Sequence, residues 1–176
     1  MEPYEHKILI HQPEVVTSSF MAEDEEEAEE LFVTAKDRLL HVSHWASYFP
    51  NESIGFQLID HHNHLVERSV RKGDFIKVNN KSIVCWLKVT AVIYDDFPDQ
   101  NMESFSVEAW VTAPISEQND STYMHSPSLF RIARDGRELL AIFHGDKYSE
   151  TIDNAALGNI CWKEWGRAML DFSMVK

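Results

Sequence analysis

The strongest constraint on this chain is a stretch from Ile54 to His144 in which apolar and polar residues alternate with a period of two. An amphipathic helical pattern lies on each side of that stretch. Alternation of this kind is typical of strands with one buried face, and turn residues divide it into segments with short connections. Because consecutive antiparallel pairing is the default for such segments, the sequence predicts one antiparallel sheet between two helices.

Seven strands are predicted within and near this stretch, at residues 54–60, 65–70, 75–78, 82–94, 102–113, 128–134 and 138–144. An earlier strand is predicted over residues 7–10, extending toward Val16 with an interruption at Pro13, since proline cannot donate to a ladder. In the longest strand, every second residue from Ile83 to Ile93 is apolar, which predicts a single buried face.

Two helices are predicted, one before and one after the sheet. The first spans residues 21–42 with Ser18 or Ser19 as its cap, and its apolar stripe consists of Ala28, Leu31, Phe32, Ala35, Leu39 and Val42. The second is a long C-terminal helix over residues 151–172 with an apolar face formed by Leu157, Ile160, Cys161, Trp165, Ala168 and Phe172. Trp162 lies away from that face, which indicates partial exposure or a contact in a homodimer.

Length and charge exclude several classes of protein. With 176 residues the chain predicts a single domain, residues 1–176. Sixteen basic residues against 29 acidic ones give a net charge of −13, which argues against binding to nucleic acid or to anionic membranes. The N-terminus lacks the layout of a signal peptide, and no apolar run approaches the ~18 residues of a membrane helix.

The chain has two cysteines, Cys85 and Cys161. Each lies on a predicted apolar face, so we expect both thiols to be buried. They lack CxxC spacing, so we expect them to be reduced and the protein to be cytoplasmic.

Three polar clusters invite a metal hypothesis, and each has a simpler explanation. The segment His61–His62–Asn63–His64 predicts a hairpin tip, because zinc needs three or four supported ligands. His41 and His44 suit the end of a helix, where carbonyl groups are unpaired. The segment from Asp95 to Asn101 lacks the pattern of a calcium loop. We therefore expect no metal and no cofactor, and no known catalytic motif identifies catalytic residues.

The order of elements resembles the START-like or SRPBCC helix-grip superfamily. The resemblance is one of topology over nearly the whole chain, and it is carried by residues 28–39, 45–49, 54–144 and 157–172. It implies an α+β fold in which a curved antiparallel sheet of about six to eight strands wraps around the long C-terminal helix. It also implies an apolar cavity, between that helix and the sheet, for a small hydrophobic or amphipathic ligand.

The candidate ligand-binding residues follow from this fold. Glu164 interrupts the apolar face of the terminal helix, where an unpaired buried carboxylate is costly, so it is the polar group that would mark the site. The alternative is that Glu164 lies at the solvent edge near Lys163 or Arg167. The other candidates on the helix and the sheet are Leu157, Ile160, Cys161, Trp165, Leu87, Phe105, Val107, Arg131 and His144.

Two further classes of function stay open at the level of sequence. One is an enzyme of cyclase, dehydratase or hydrolase type on the same scaffold, which requires polar groups such as Glu164, His144 and Arg131 to converge. The other is a protein-interaction module without a small ligand, whose surface would be the acidic first helix and exposed aromatic residues. Fold alone does not select among these classes.

Overall fold

The computed structural model describes residues 13–49, 54–112, 127–146 and 160–173. The helices and strands, in chain order, are β1 (Pro13–Met21), α1 (Glu25–Leu40), a 3₁₀ helix (Val42–Tyr48), β2 (Ile54–Ile59), β3 (Phe75–Asn80), β4 (Ile83–Phe97), a 3₁₀ turn (Pro98–Gln100), β5 (Met102–Thr112), β6 (Ser128–Asp135), β7 (Glu138–Asp146) and α2 (Trp162–Met169).

The seven strands form one antiparallel sheet in the order β1-β7-β6-β5-β4-β3-β2, so the predicted antiparallel α+β architecture is confirmed. The sheet curls into a half-barrel, and this arrangement fits a helix-grip fold. Its inner face packs on α1 mainly through β6, on the 3₁₀ helix through β2, and on α2 through β1 and β7. The core therefore lies between this inner face and the three helical segments.

The C-terminal helix is short, and the prediction of a long one is wrong. Helix α2 begins after Cys161 and ends at Met169, whereas Ile160 and Phe172 are buried although neither is helical. Apolar spacing reports which residues face the core, and it cannot tell a helical turn from an irregular segment that buries the same side chains. Residues 151–159, which include the candidate Leu157, lie outside the described residues.

Helix α1 begins later than predicted because β1 runs on to Met21. Its cap is Asp24, not Ser18 or Ser19: the Asp24 Oδ1 accepts from the Glu27 N–H at 2.8 Å. Glu27 returns the contact by accepting from the Glu23 N–H at 2.8 Å, which completes a reciprocal cap at the helix start. The predicted stripe from Ala28 to Leu39 is buried, as expected.

A bulge in β4 changes which side chains face the core. The register against β5 shifts between Val89 and Ala91, so Cys85, Leu87 and Val89 face inward before the bulge and Val92 packs on the core after it. The prediction of one unbroken apolar face to Ile93 is therefore wrong, since Ile93 is 40% exposed. A single extra residue reverses the alternation of every residue that follows it.

Residues 65–70 do not form the predicted strand and make one bridge, between Leu65 and Ile59. The segment is instead fixed by a two-pronged ion pair from Arg68 to the buried carboxylate of Asp74, at 2.8 and 3.0 Å. The Asp74 carboxylate also accepts from the Arg71 N–H at 2.7 Å. These bonds take the place of a strand ladder. The earlier predicted strand over residues 7–10 lies outside the described residues.

Candidate functional site

Aromatic side chains pack together between α2, the 3₁₀ helix and the inner face of the sheet in the described part of the chain. At the centre, the Trp45 ring lies 5.0 Å from Phe130, 5.4 Å from Phe56 and 5.6 Å from Trp165, measured between centroids. We call this set, in which every member is at most 6% exposed, the aromatic cluster: Trp45, Phe49, Phe56, Phe130, Phe143, Trp162 and Trp165. Rings at these distances leave no room for a ligand between them.

The aromatic cluster corrects one prediction from the sequence. Trp162 is 4% exposed and stacks on Phe143 at 4.5 Å, so it is neither partly exposed nor a surface contact. On the helical wheel it lies away from the main apolar stripe, but α2 is embedded on more than one side and buries Trp162 as well as Trp165.

The predicted ligand-binding residues separate into distinct places. Leu87, Val107, Ile160 and Trp165 are buried members of the core, and Phe105 is half-buried at its edge. Cys161 is exposed at the start of α2, which contradicts its predicted burial, whereas Cys85 is buried as expected. Neither Cys85 nor Cys161 forms a disulfide bond.

Arg131 and His144 lie on the outer face of the sheet. Arg131 alternates with the buried Phe130 and Ile132, and its Nε donates to Ser106 at 2.9 Å. His144 follows the buried Phe143 and is exposed. Neither side chain therefore converges with Glu164, which belongs to a helix on the inner face.

Glu164 lies half-buried in an open hollow of about 490 Å³. We call it the charged hollow; its lining residues are Tyr48, Glu164, Arg167, Ala168 and Asp171. Among the described residues, nothing hydrogen-bonds or ion-pairs with the Glu164 carboxylate, so the donor expected from the sequence is not found there. The hollow is a feature of the surface beside the aromatic cluster and not an interior cavity.

A second open hollow, of about 300 Å³, adjoins the charged hollow and shares Tyr48 with it. Its lining residues are Thr34, Asp37, Arg38, His41, His44 and Tyr48. The His41 and His44 rings stack at 5.6 Å, and the His41 Nδ1 lies 2.8 Å from the Asp37 carbonyl oxygen. Since a carbonyl oxygen can only accept, the Nδ1 donates, which fits the predicted role of histidine at a helix end.

A third open hollow lies where α1 faces β4 and β5. We call it the aromatic hollow; it has a volume of about 300 Å³ and is lined by Glu29, Phe32, Val33, Lys36, Tyr94, Glu103 and Phe105. The Tyr94 and Phe105 rings stack at 4.8 Å, and the Lys36 ammonium lies 5.5 Å from the centre of the Phe105 ring. Tyr94 and Val33 are 48% and 49% exposed, so apolar surface meets solvent at the rim.

Polar bonds fix the far wall of the aromatic hollow. Tyr94 donates its hydroxyl to Glu103 Oε1 at 3.1 Å, and Arg134 donates its Nε to Glu103 Oε2 at 2.7 Å. Arg134 is itself buried and bonds to Asn101 Oδ1 at 2.9 Å. Partial burial of the hydroxyl and the bond to Glu103 raise the pKa of Tyr94 to about 12, so the phenol stays protonated at neutral pH.

Six of the seven residues that line the aromatic hollow were not predicted as site residues, and Tyr94 and Lys36 show two different reasons. Tyr94 falls on the wrong face of an uninterrupted strand pattern, and only the bulge in β4 turns it inward. Lys36 carries a usable signal, because it follows Phe32 by four residues and so shares its side of α1. Phe105 is the one predicted candidate that lines this hollow.

The remaining predicted clusters are surface turns. Asp60 Oδ1 accepts from the N–H groups of His62 and His64, both at 2.9 Å. These bonds, led by that of His64, lower the pKa of Asp60. The loop predicted from Asp95 begins later, because β4 continues to Phe97; the chain then turns at Asn101, whose φ of 54° is left-handed. Within the described ranges, no group of three or more His, Cys, Asp or Glu residues is placed to hold a metal ion.

None of the helices in the described part of the chain combines the length and the apolar character needed to cross a membrane.

Comparison with known proteins bears on the fold of this chain. No family model matches the chain, and no curated protein matches its sequence. The solved structure of hypothetical protein jhp0584 from Helicobacter pylori aligns with 91% of this chain and 88% of that chain, with 12% identity and a TM-score of 0.54. That likeness shows a shared fold. Norcoclaurine synthase from Thalictrum flavum, solved with dopamine and hydroxybenzaldehyde, aligns over 94% and 89% with 8% identity and a TM-score of 0.39, which is too distant to support an argument.

Proposed function

We propose that this protein binds a small amphipathic molecule in the aromatic hollow between α1 and the β4–β5 hairpin. The observation that carries the proposal is the stacked pair of Tyr94 and Phe105, whose rings form an apolar wall open to solvent. Ligand sites are mostly apolar with a few placed polar groups, and Lys36 and Glu29 supply such groups in the lining. The volume of about 300 Å³ suits a small aromatic ligand of two or three rings.

This proposal moves the site away from the place predicted from sequence. The space beside Trp165 holds the aromatic cluster, so an apolar ligand has more room at the edge of the core, where Phe105 is half-buried. An enzyme would need polar groups that converge, and Arg131 and His144 lie on the opposite face of the sheet from Glu164. Binding is therefore the function that the arrangement supports best.

The test uses the neutral fluorescent dye N-phenylnaphthylamine and a matched pair of variants. Tyr94 and Phe97 are 48% and 50% exposed on the same strand, but they lie on opposite faces of the sheet. We expect Tyr94→Ala to raise the dissociation constant of the dye roughly tenfold, because it removes half of the stacked wall. We expect Phe97→Ala to leave it unchanged and Tyr94→Phe, which keeps the ring, to stay close to the wild type.

Equal weakening by Tyr94→Ala and Phe97→Ala would show non-specific adsorption to exposed rings and would overturn the proposal. Fluorescence that rises without saturation in the wild-type protein would do the same. Circular dichroism of each variant confirms that the sheet is intact before the affinities are compared.

A further inference from the structure

The charged hollow brings two opposite charges together without pairing them. Glu164 and Arg167 are three residues apart on α2, so their Cβ atoms are neighbours at about 5–6 Å on one side of the helix. Both line the hollow, yet they form no ion pair with each other. Among the described residues, neither side chain has a hydrogen-bonding partner. Each charge is therefore free to meet a group of opposite sign on a ligand.

The other polar groups around the hollow are mostly committed. The Arg38 Nη1 donates to the carbonyl oxygens of Ala168, Met169 and Asp171 at 2.9, 3.1 and 2.8 Å. The Asp171 Oδ1 accepts from both the N–H and the hydroxyl of Ser173, at 3.1 and 2.7 Å. The charges in the lining are thus Glu164 and Arg167 on α2, which have no partner among the described residues, and the Asp171 carboxylate, whose Oδ1 is occupied by Ser173.

Tyr48 lines both the charged hollow and the adjoining hollow that holds His41 and His44. Burial raises the pKa of Tyr48 above its ordinary value, so its half-buried ring carries a neutral hydroxyl. Tyr48 therefore offers an apolar ring face and a neutral hydroxyl group, beside the two charges on α2.

We propose that the charged hollow is a second binding site, for a small zwitterion that carries an ammonium and a carboxylate, of the size of a free amino acid. The ammonium would bind Glu164, the carboxylate would bind Arg167, and an apolar side chain would lie against the Tyr48 ring. Charge-assisted hydrogen bonds at both ends are the strong kind, and the guanidinium fork matches a carboxylate. The volume of about 490 Å³ accommodates such a molecule together with its water.

The test uses phenylalanine and two analogues that each lack one charge. N-acetylphenylalanine keeps the carboxylate, and phenylalaninamide keeps the ammonium at about pH 6. Titrations are followed by the backbone amide shifts of Tyr48 and Ala168 in the full chain. We expect saturable shifts with phenylalanine and roughly tenfold weaker binding of either analogue.

Two variants connect each charge of the ligand to one residue. Glu164→Gln should reduce the affinity for phenylalanine to that for N-acetylphenylalanine, and Arg167→Gln should reduce it to that for phenylalaninamide. Glu67→Gln and Arg71→Gln change the same residue types at exposed positions outside the hollow and should have no effect. Three results would each overturn the proposal. The three compounds could bind equally well, the affinity for phenylalanine could be unchanged in both α2 variants, or the amide shifts could be confined to Tyr94 and Phe105.

Discussion

At the scale of single residues, Gly166 lets α2 approach β1 closely. A Cβ atom built on Gly166 would lie 2.7 Å from the Ser18 Oγ and 3.2 Å from the Ser18 Cβ. We expect Gly166→Ala to lower the free energy of unfolding by about 1–3 kcal/mol, because this overlap outweighs the gain in helix propensity of about 1 kcal/mol. Urea unfolding followed by tryptophan fluorescence measures the change.

The matched control for that substitution is Gly55→Ala. A Cβ on Gly55 meets its nearest neighbour, Asn79, at an ordinary 3.8 Å, so the change should be small. Ser18→Ala separates the two parts of the clash: the Ser18 Oγ is buried with no partner among the described residues, so its removal alone should be neutral or stabilising. If the changes in unfolding free energy of Ser18→Ala and Gly166→Ala were additive in the double variant, the clash between the two side chains would not explain the effect of Gly166→Ala.

Single residues were also where prediction from sequence met its limits. The burial of Cys85, Leu39 and Ala35 follows from the spacing of apolar residues alone, because each lies where that spacing is uninterrupted. The exposure of Cys161 and the burial of Trp162 do not, because both depend on how α2 is rotated and on what covers its second side. A helical wheel shows neither the rotation of the helix nor the residues that cover its second side.

At the scale of elements, α2 is too short to be stable by itself and depends on its neighbours. Arg38 on α1 donates to three carbonyl oxygens at the end of α2, and its guanidinium lies 5.6 Å from the centre of the Phe172 ring. We expect Arg38→Gln to lower the free energy of unfolding by about 1–3 kcal/mol, because it removes charge-assisted bonds that are partly buried. Amide hydrogen exchange in α2 should accelerate together with this loss.

Arg167→Gln is the control for Arg38→Gln, since it makes the same change at the same end of α2 on an exposed side chain without a hydrogen bond among the described residues. Its effect should stay within about 0.5 kcal/mol. If both variants cost the same, general charge at the helix end would explain the result and the specific bonds from Arg38 would not.

The elements also show which signals a sequence carries. The consecutive pairing from β2 to β7 and the hairpin at Gly136 follow from alternation and turn residues, and both are found, whereas the pairing of β1 with β7 has no such signal. The bulge after Val89 has no such signal, yet it decides that Tyr94 and not Ile93 faces inward, and so it decides the composition of the aromatic hollow. The candidate site was predictable as far as Phe105, and its remaining walls depended on this one irregularity.

At the scale of the whole molecule, Trp45 joins four elements through one side chain. It belongs to the 3₁₀ helix, contacts Phe56 on β2, Phe130 on β6 and Trp165 on α2, and donates its Nε1 to the Arg38 carbonyl oxygen on α1 at 3.1 Å. The resemblance to the helix-grip superfamily predicts a ligand cavity in this region. The sequence does not distinguish a cavity from a core, because apolar residues that line a cavity and those that fill a core have the same pattern. The described residues favour a filled core around Trp45, because its side chain is fully buried and contacts rings on several sides.

This difference is measurable by truncating Trp45. If the rings form a filled core, Trp45→Ala should lower the free energy of unfolding by about 3–5 kcal/mol, the cost of removing a large buried aromatic side chain. If the same rings lined an open cavity, the loss should be much smaller, because the tryptophan would already lack partners on one side. Trp86→Ala is the matched control, since Trp86 is half-buried on the outer face of β4 and its truncation should cost far less than that of Trp45. Urea unfolding of both variants decides the question, and a loss of less than about 1 kcal/mol for Trp45→Ala would place a cavity, and with it a ligand site, back beneath α2.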